Sequence, residues 1–303
     1  MSRFIYYNRV KGGKYLKIEE IQEGSFYRDK RVARGFHQVD ILDNTITAST
    51  LSRFENGNTQ LKAETLFHLI EKIGMTASEY DNARRHYRLN RMDKLYDNLN
   101  HIMFLGKESL AESEKFIITS PKDRFEKLSN ILIKAVLEDV TGKSYISPVD
   151  KQLVGDYLFN IEYWSEFEMR VLYYTRFILD TGDLCDFGEL LIKRTQHFDQ
   201  GEIKRLFLAT LSSLYGVLVE RQAFREASYF RAFLEEKVTQ KELEVFICFN
   251  IEKLAHDYLL DRTKKNLTQI EDYLNKIETI GVTVLVKFYR EWLKKLESKP
   301  VTN

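Results

Sequence analysis

The sequence contains few of the residues that interrupt helices or cross-link a chain. Its 303 residues include 3 prolines, 14 glycines and 2 cysteines. With so few helix breakers, we expect long helices. Cys185 and Cys248 are isolated, without a CxxC or a Cys/His cluster, as is typical of a reduced, cytoplasmic chain. No apolar run reaches the roughly 18 residues of a membrane-spanning helix, so no membrane segment is predicted.

The motifs of common enzymes and metal sites are missing as well. The six histidines form no H-x-x-x-H pattern, which argues against a metal site. The sequence has no GxGxxG, P-loop or G-x-S-x-G motif for a nucleotide, a phosphate or an acyl group. We therefore predict a protein that is not an enzyme and that uses no cofactor or metal.

The net charge of +1 is unevenly distributed. The first 90 residues carry 15 Lys and Arg against 11 Asp and Glu, an excess of 4, so the remainder is acidic. A basic N-terminal part is consistent with a polyanionic partner, although this observation alone decides little.

The spacing of apolar residues predicts three segments and an all-α fold. Residues 1–22 look like an N-terminal extension, interrupted by Gly12-Gly13. Residues 23–88 carry five short helical patterns, each bounded by a glycine or a capping residue, and form one small domain. Residues 89–303 repeat apolar positions at helical spacing without sustained alternation. This part is predicted to be an α-solenoid of degenerate tetratricopeptide-like repeats, because Leu211–Leu234 retains part of that pattern.

The stretch from Thr47 to Gly57 predicts a short, exposed helix from Ala48 to Glu55. Thr47 can cap it, Leu51 and Phe54 share one face, and Gly57 can end it in the left-handed conformation. A second short helix ends at Leu42, and four residues separate it from Thr47. Two short helices joined by a tight turn, the second with small polar residues at its start, fit a DNA major groove.

These residues resemble the helix-turn-helix domain of phage repressors and their bacterial relatives. The match is I-T-A-S-T-L-S-R-F-E-N-G followed by G-M-T-A-S-E-Y, with a turn one residue tighter than in phage repressors. That tighter turn resembles the Rgg/GadR/MutR regulators of Gram-positive bacteria. A distant segment, Tyr157–Met169, is similar to the L-F-N-I-E-x-W-x-x-x-E segment of the same family's C-terminal domain. The resemblance covers roughly residues 24–297.

The resemblance implies roles for individual residues. Gln38 and Asn56 would bind phosphates, while Ala48, Ser49 and Arg53 would face base edges. Thr50 and Ser52 would lie near the DNA backbone or support it. Arg31 and Glu55 would form an internal ion pair, although a solvated surface charge is an equally good interpretation of Arg31. Relatives often carry a longer polar or basic side chain where this chain has Ala48, so we expect either fewer base contacts here or an apolar contact with a thymine methyl group.

The resemblance also implies that the helical-repeat domain binds a short, apolar, re-imported peptide. Candidate contacts are polar residues within otherwise apolar helical faces, namely Arg170, Tyr174, Arg221 and Asn250. Internal hydrogen bonding is at least as good an explanation of each of them.

The predicted function is a cytoplasmic, peptide-controlled transcription regulator that binds double-stranded DNA. One recognition helix reads few base pairs, so we expect a homodimer. The last helix, Thr283–Ser298, can join either the helical core or a partner subunit. The alternatives are a helical scaffold protein whose N-terminal domain does not bind DNA, and a regulator that responds to a small molecule or a protein.

Overall fold

The computed structural model describes residues 22–105, 110–194 and 201–300. Over these residues the chain is helical, with short 3-10 helices at Glu114–Phe116 and Gln240–Glu242 and no β-strand. The all-α prediction is confirmed. The predicted N-terminal extension, apart from Gln22, lies outside the described residues. None of the described helices combines the length and the apolar composition that crossing a membrane would require.

The chain divides into two compact units, with the division after Lys94, whereas the predicted boundary follows Arg88. The N-terminal unit contains five helices, as predicted, and the start of a sixth. The five are α1 (Glu23–Ala33), α2 (Gln38–Ile41), α3 (Ala48–Glu55), α4 (Ala63–Lys72) and α5 (Ala77–Arg84). Helix α3 contacts both α1 and α2, and α4 contacts α5. The unit's core comprises Tyr27, Ile41, Ile46, Leu51, Phe54, Leu69, Ile70, Ile73, Met75 and Tyr80.

The C-terminal unit continues the sixth helix and adds ten more. They are α6 (Arg91–Leu105), α7 (Leu110–Ser113), α8 (Arg124–Thr141), α9 (Pro148–Asn160), α10 (Glu166–Thr175), α11 (Thr181–Arg194), α12 (Gly201–Glu220), α13 (Phe224–Lys237), α14 (Leu243–Leu260), α15 (Lys264–Thr279) and α16 (Thr283–Ser298). Helix α8 packs on α10, α10 on α12, α12 on α14, and α14 on α16. Helix α13 packs on α12, and α15 packs on α14 and α16. This alternation is that of stacked helix pairs, as in tetratricopeptide-like solenoids.

Helix α16 joins the core of its own chain. Trp292 and Leu296 are 8% and 0% exposed and pack in that core. The other side of the helix faces away, with Val284 63% and Phe288 50% exposed. The sequence left open whether this helix joins the helical core or a partner subunit, and the structure places Trp292 and Leu296 in the core.

Close contact between α1 and α3 depends on a glycine. A Cβ atom at Gly24 would lie 1.7 Å from the carbonyl oxygen of Phe54 and 3.2 Å from Cα of Glu55. Both are backbone atoms, so a side chain at position 24 would force the two helices apart.

We expect Gly24→Ala to lower the free energy of unfolding of the N-terminal unit by about 1–3 kcal/mol, because the overlap can be relieved only by moving backbone. Chemical denaturation of the full chain measures this. Gly155→Ala is the matched control, because it is also a helical glycine but a Cβ there meets nothing within 4 Å. The control should be neutral or gain up to about 1 kcal/mol from helix propensity. Equal effects of the two substitutions would contradict the steric explanation.

Candidate functional site

Helix α3 presents a small polar surface. Thr47 caps it, since its hydroxyl oxygen accepts a hydrogen bond from the Thr50 N–H at 3.3 Å. Leu51 and Phe54 are buried against the rest of the unit. The residues proposed to approach DNA lie on the other side, and all four are exposed: Ala48, Ser49, Thr50 and Arg53. The helix has the bounds predicted from sequence and ends before Gly57, whose φ of 72° is left-handed.

A buried ion pair fixes α3 against α1. Arg31 Nε lies 2.6 Å from Glu55 Oε1, and a second guanidinium nitrogen lies 2.8 Å from Oε2. Arg31 and Glu55 are only 5% and 3% exposed. Arg31 also donates to the carbonyl oxygen of Phe36 at 2.6 Å. The hydrogen bond with Glu55 is the largest cause of the raised pKa of Arg31. A two-bond guanidinium–carboxylate contact fixes direction as well as distance.

Gln38 and Asn56 are also tied into the protein. The Gln38 side-chain amide donates to Glu55 Oε2 at 2.7 Å, so the ion pair sets its orientation. Asn56 donates to the Ser52 carbonyl oxygen at 2.8 Å, and Ser52 itself is partly buried. The same Asn56 nitrogen also lies 3.5 Å from Ser52 Oγ. An amide nitrogen carries two hydrogens, so the Gln38 amide keeps one for a phosphate.

The sequence also predicts that the basic residues Lys30 and Arg34 of the first helix give salt-dependent affinity for DNA. In the structure Arg34 caps a helix. Its guanidinium donates to the carbonyl oxygens of Ile73 and Gly74 at 3.3 Å and 3.0 Å, just beyond the end of α4. These carbonyls have no partner within their own helix, so the arginine satisfies them. Lys30, the other such residue, lies over the ring of Phe26, 4.9 Å from its centroid.

The structure uses the four predicted peptide-binding residues for contacts within the chain. Arg170 pairs with Glu166 at 2.8 Å and lies over the ring of Tyr96, 4.0 Å from its centroid. Tyr174 is 5% exposed.

Arg221 donates to the carbonyl oxygens of Phe177 and Leu179 at 3.1 Å and 2.8 Å, which follow the end of α10. Burial raises the pKa of Tyr273, and the neighbouring side chain of Asn250 partly offsets this increase. The internal hydrogen-bonding interpretation therefore accounts for Arg221.

The sequence prediction missed a group of charged residues on the helices that stack in the C-terminal unit. Asp139, at the end of α8, is exposed as a residue. Neighbouring atoms nevertheless keep water from its carboxyl group, and this desolvation raises the pKa of Asp139. The positive charges of Arg176 and Lys295 act in the opposite direction, while Glu220 adds to the increase. The side chain of Trp292 on α16 donates to Glu220 at 2.9 Å. The four charged residues are far apart in sequence, so no spacing rule could have grouped them.

The second segment that resembles the family, Tyr157–Met169, contributes to the packing of the C-terminal unit. Trp164 is 1% exposed and lies in the core of the C-terminal unit. Ser165 and Glu168 cap the start of α10 with reciprocal hydrogen bonds. The hydroxyl of Tyr157 on α9 donates to Glu168, which joins the two helices. These contacts of the segment therefore pack α9 against α10.

Three solved structures share this fold at low sequence identity. A protein from Listeria monocytogenes EGD-e that carries the name of a transcriptional regulator is 16% identical, with a TM-score of 0.74 over 91% of this chain and 97% of that chain. The SHP pheromone receptor Rgg2 of Streptococcus dysgalactiae is 16% identical, with a TM-score of 0.74 over 90% and 99%. PrgX in its complex with cCF10 is 15% identical, with a TM-score of 0.64 over 93% and 94%.

The family model of the C-terminal domain of the HTH-type transcriptional regulator Rgg matches residues 107–291. That range covers more than half of the chain and includes all the helices from α8 to α15. It contains the Tyr157–Met169 segment, and the N-terminal unit supplies the helix-turn-helix. This chain therefore belongs to the Rgg family of helix-turn-helix transcriptional regulators.

Proposed function

We propose that the chain is a sequence-specific DNA-binding regulator of transcription that acts in the cytoplasm and is controlled by a short apolar peptide. The observation that supports the DNA-binding part most directly is the exposed face of α3. Ala48, Ser49 and Arg53 point away from a helix that Leu51 and Phe54 hold from behind. The small residues at its start allow the helix to approach base edges closely, and the long side chain of Arg53 can contact a base edge.

Arg53→Ala should weaken binding to the preferred DNA site by about 1–3 kcal/mol, a roughly 5- to 150-fold loss of affinity, because a two-bond arginine–guanine contact would be removed. The measurement is a gel shift on a duplex that the wild-type protein selects from random sequence. Arg225→Ala, an exposed arginine on α13, is the matched control. Equal binding of all duplexes by the wild type, unchanged by Arg53→Ala, would favour the scaffold alternative.

The peptide part of the proposal rests on family membership and on the fold shared with Rgg2, a pheromone receptor, and with PrgX, which was solved with cCF10. Stacked helix pairs offer an extended surface of the kind that binds peptides. A thermal-shift comparison of pools of short apolar peptides with pools of metabolites tests this. Stabilisation by metabolites alone would favour the small-molecule alternative.

We propose in addition that the regulator acts as a homodimer. One α3 helix reads few base pairs, and two copies can read half-sites about one helical turn apart. The peptide must then favour one arrangement of the two DNA-binding units over another, because equal binding to both would change nothing. Sedimentation of the chain with and without DNA measures the stoichiometry, and one copy per operator would contradict the dimer.

A further inference from the structure

The turn between α2 and α3 contains a carboxylate with four hydrogen-bond donors around it. Asp43 Oδ1 accepts from the backbone N–H groups of Thr45 and Ile46 at 2.8 Å and 3.3 Å. Asp43 Oδ2 lies 2.7 Å from His68 Nε2 and 2.7 Å from Lys72 Nζ, both on α4. One oxygen therefore orders the turn, and the other joins the turn to α4. Because an ionised carboxylate only accepts, the imidazole is the donor in its contact.

Lys72 extends this connection to the preceding helix. Its ammonium group donates to the carbonyl oxygen of Ile41, the last residue of α2, at 3.0 Å. A single side chain on α4 thus binds both the end of α2 and the turn. The hydrogen bonds from Lys72 and then His68 hold the pKa of Asp43 well below its usual range. Asp43 is therefore ionised at neutral pH.

The three side chains of the Asp43 cluster, Asp43, His68 and Lys72, are partly exposed, at 29%, 34% and 26%. Pairs of this kind contribute little to folding, about 0–1 kcal/mol. Their position matters more than that contribution. The bonded Ile46 N–H is one residue before the cap Thr47 and two before Ala48, where α3 begins. A shift of this turn would move the end of α3 that carries Ala48 and Ser49.

We propose that Asp43 is a positioning residue that, through His68 and Lys72, sets how the start of α3 enters the DNA groove. The inference rests on the proposed DNA binding and adds residues that need not touch DNA. Misplacement of a recognition helix by a fraction of an ångström would cost base contacts but leave phosphate attraction in place. Loss of the cluster should therefore reduce discrimination between DNA sequences more than it reduces general affinity.

Asp43→Asn separates the two functions of the carboxylate. Asparagine keeps a side-chain oxygen for the N–H groups of Thr45 and Ile46 but places an NH2 donor opposite the donors of His68 and Lys72. We expect the ratio of affinities for the selected duplex and for a random duplex of equal length to fall about tenfold, comparable to one mismatched base pair. The melting temperature should stay close to that of the wild type. Glu71→Gln, an exposed acid on α4, is the control and should change neither quantity.

His68 provides a conservative rescue. His68→Gln keeps a neutral N–H donor and should retain the affinity ratio, whereas His68→Leu should lower it as Asp43→Asn does. An Asp43→Asn chain with an unchanged ratio would overturn the proposal. So would a fall in melting temperature accompanied by equal losses on both duplexes, since that indicates a purely structural role. Failure of the wild type itself to select any duplex would instead reject the proposed DNA binding.

Discussion

Replacing Glu55 with alanine should lower the free energy of unfolding of the N-terminal unit by about 3–5 kcal/mol. The substitution leaves the guanidinium of Arg31, which is 5% exposed, buried without its counter-charge. It also removes the acceptor of the Gln38 amide. Losses of this size arise mainly from the group left unpaired and not from the ion pair as such. The expected result is a separate, earlier unfolding transition of this unit.

Urea denaturation of the full chain, followed by signals from both units, measures the effect of Glu55→Ala. Glu202→Ala is the control, because it disrupts an exposed pair with Arg205 and should change the free energy by at most about 1 kcal/mol. The double replacement Arg31→Met with Glu55→Leu should recover much of the loss, since it leaves no charge unpaired. A loss as small as that of Glu202→Ala would show that water reaches Arg31.

The same substitution should abolish selective DNA binding. The ion pair joins α1 to the last residue of α3, and Gln38 ties the start of α2 to the same carboxylate. These bonds hold the two helices of the motif at a fixed angle. The double replacement should restore stability more completely than selectivity, because apolar side chains fill space but do not fix direction as paired hydrogen bonds do.

Local signals in the sequence were enough to predict α3. Its cap, its two buried residues and the terminating glycine all lie within eleven residues, and the helix runs from Ala48 to Glu55 as predicted. The partnership of Arg31 with Glu55, 24 positions apart, came only from the family resemblance. Nothing in the local pattern around either residue indicates it, because the contact depends on how α1 packs on α3.

Helix α11 contains two glycines, a residue type that sequence rules treat as a helix breaker. The structure gives Gly188 a packing role, since a Cβ atom there would lie 2.5 Å from the ring of Phe230. The same ambiguity affected the peptide site. The prediction placed Arg221 within an apolar helical face, but the structure places it just after the end of α12, facing the carbonyl oxygens that follow α10. Sequence periodicity predicts which side of a helix is buried, but it does not predict which residues that side contacts.

A second large effect is expected at Glu252, which joins three stacked helices of the C-terminal unit. It is 6% exposed and accepts hydrogen bonds from Ser212 on α12 at 2.7 Å and from Tyr289 on α16 at 3.1 Å. Gly216 lies opposite, where a Cβ atom would be 2.9 Å from the carboxyl oxygen. Burial is the main cause that raises the pKa of Glu252 to about 8, and the two hydrogen bonds and the charge of Arg176 offset it only in part.

The raised pKa predicts the direction of a pH effect. In the unfolded chain Glu252 loses its proton near the ordinary value of 4.5, but in the folded chain it keeps the proton up to about pH 8. Folding therefore takes up a proton between these values. The contribution of this group to stability falls as the pH rises through that window and is constant above it. At about 1.4 kcal/mol per pKa unit, the full loss is at most about 5 kcal/mol.

Glu252→Gln should remove this loss. The amide resembles the protonated acid, and because the hydroxyls of Ser212 and Tyr289 can accept as well as donate, both hydrogen bonds can form. The variant should match the wild type near pH 4.5 and exceed it in unfolding free energy by several kcal/mol at pH 8. Denaturation of the C-terminal unit at pH values across this range measures the difference. Glu244→Gln, an exposed acid on the same helix, should follow the wild-type pH profile. Parallel pH profiles for Glu252→Gln and the wild type would mean that Glu252 is ionised throughout this range. Water or a cation would then have to reach the carboxyl group, although α12, α14 and α16 pack around it.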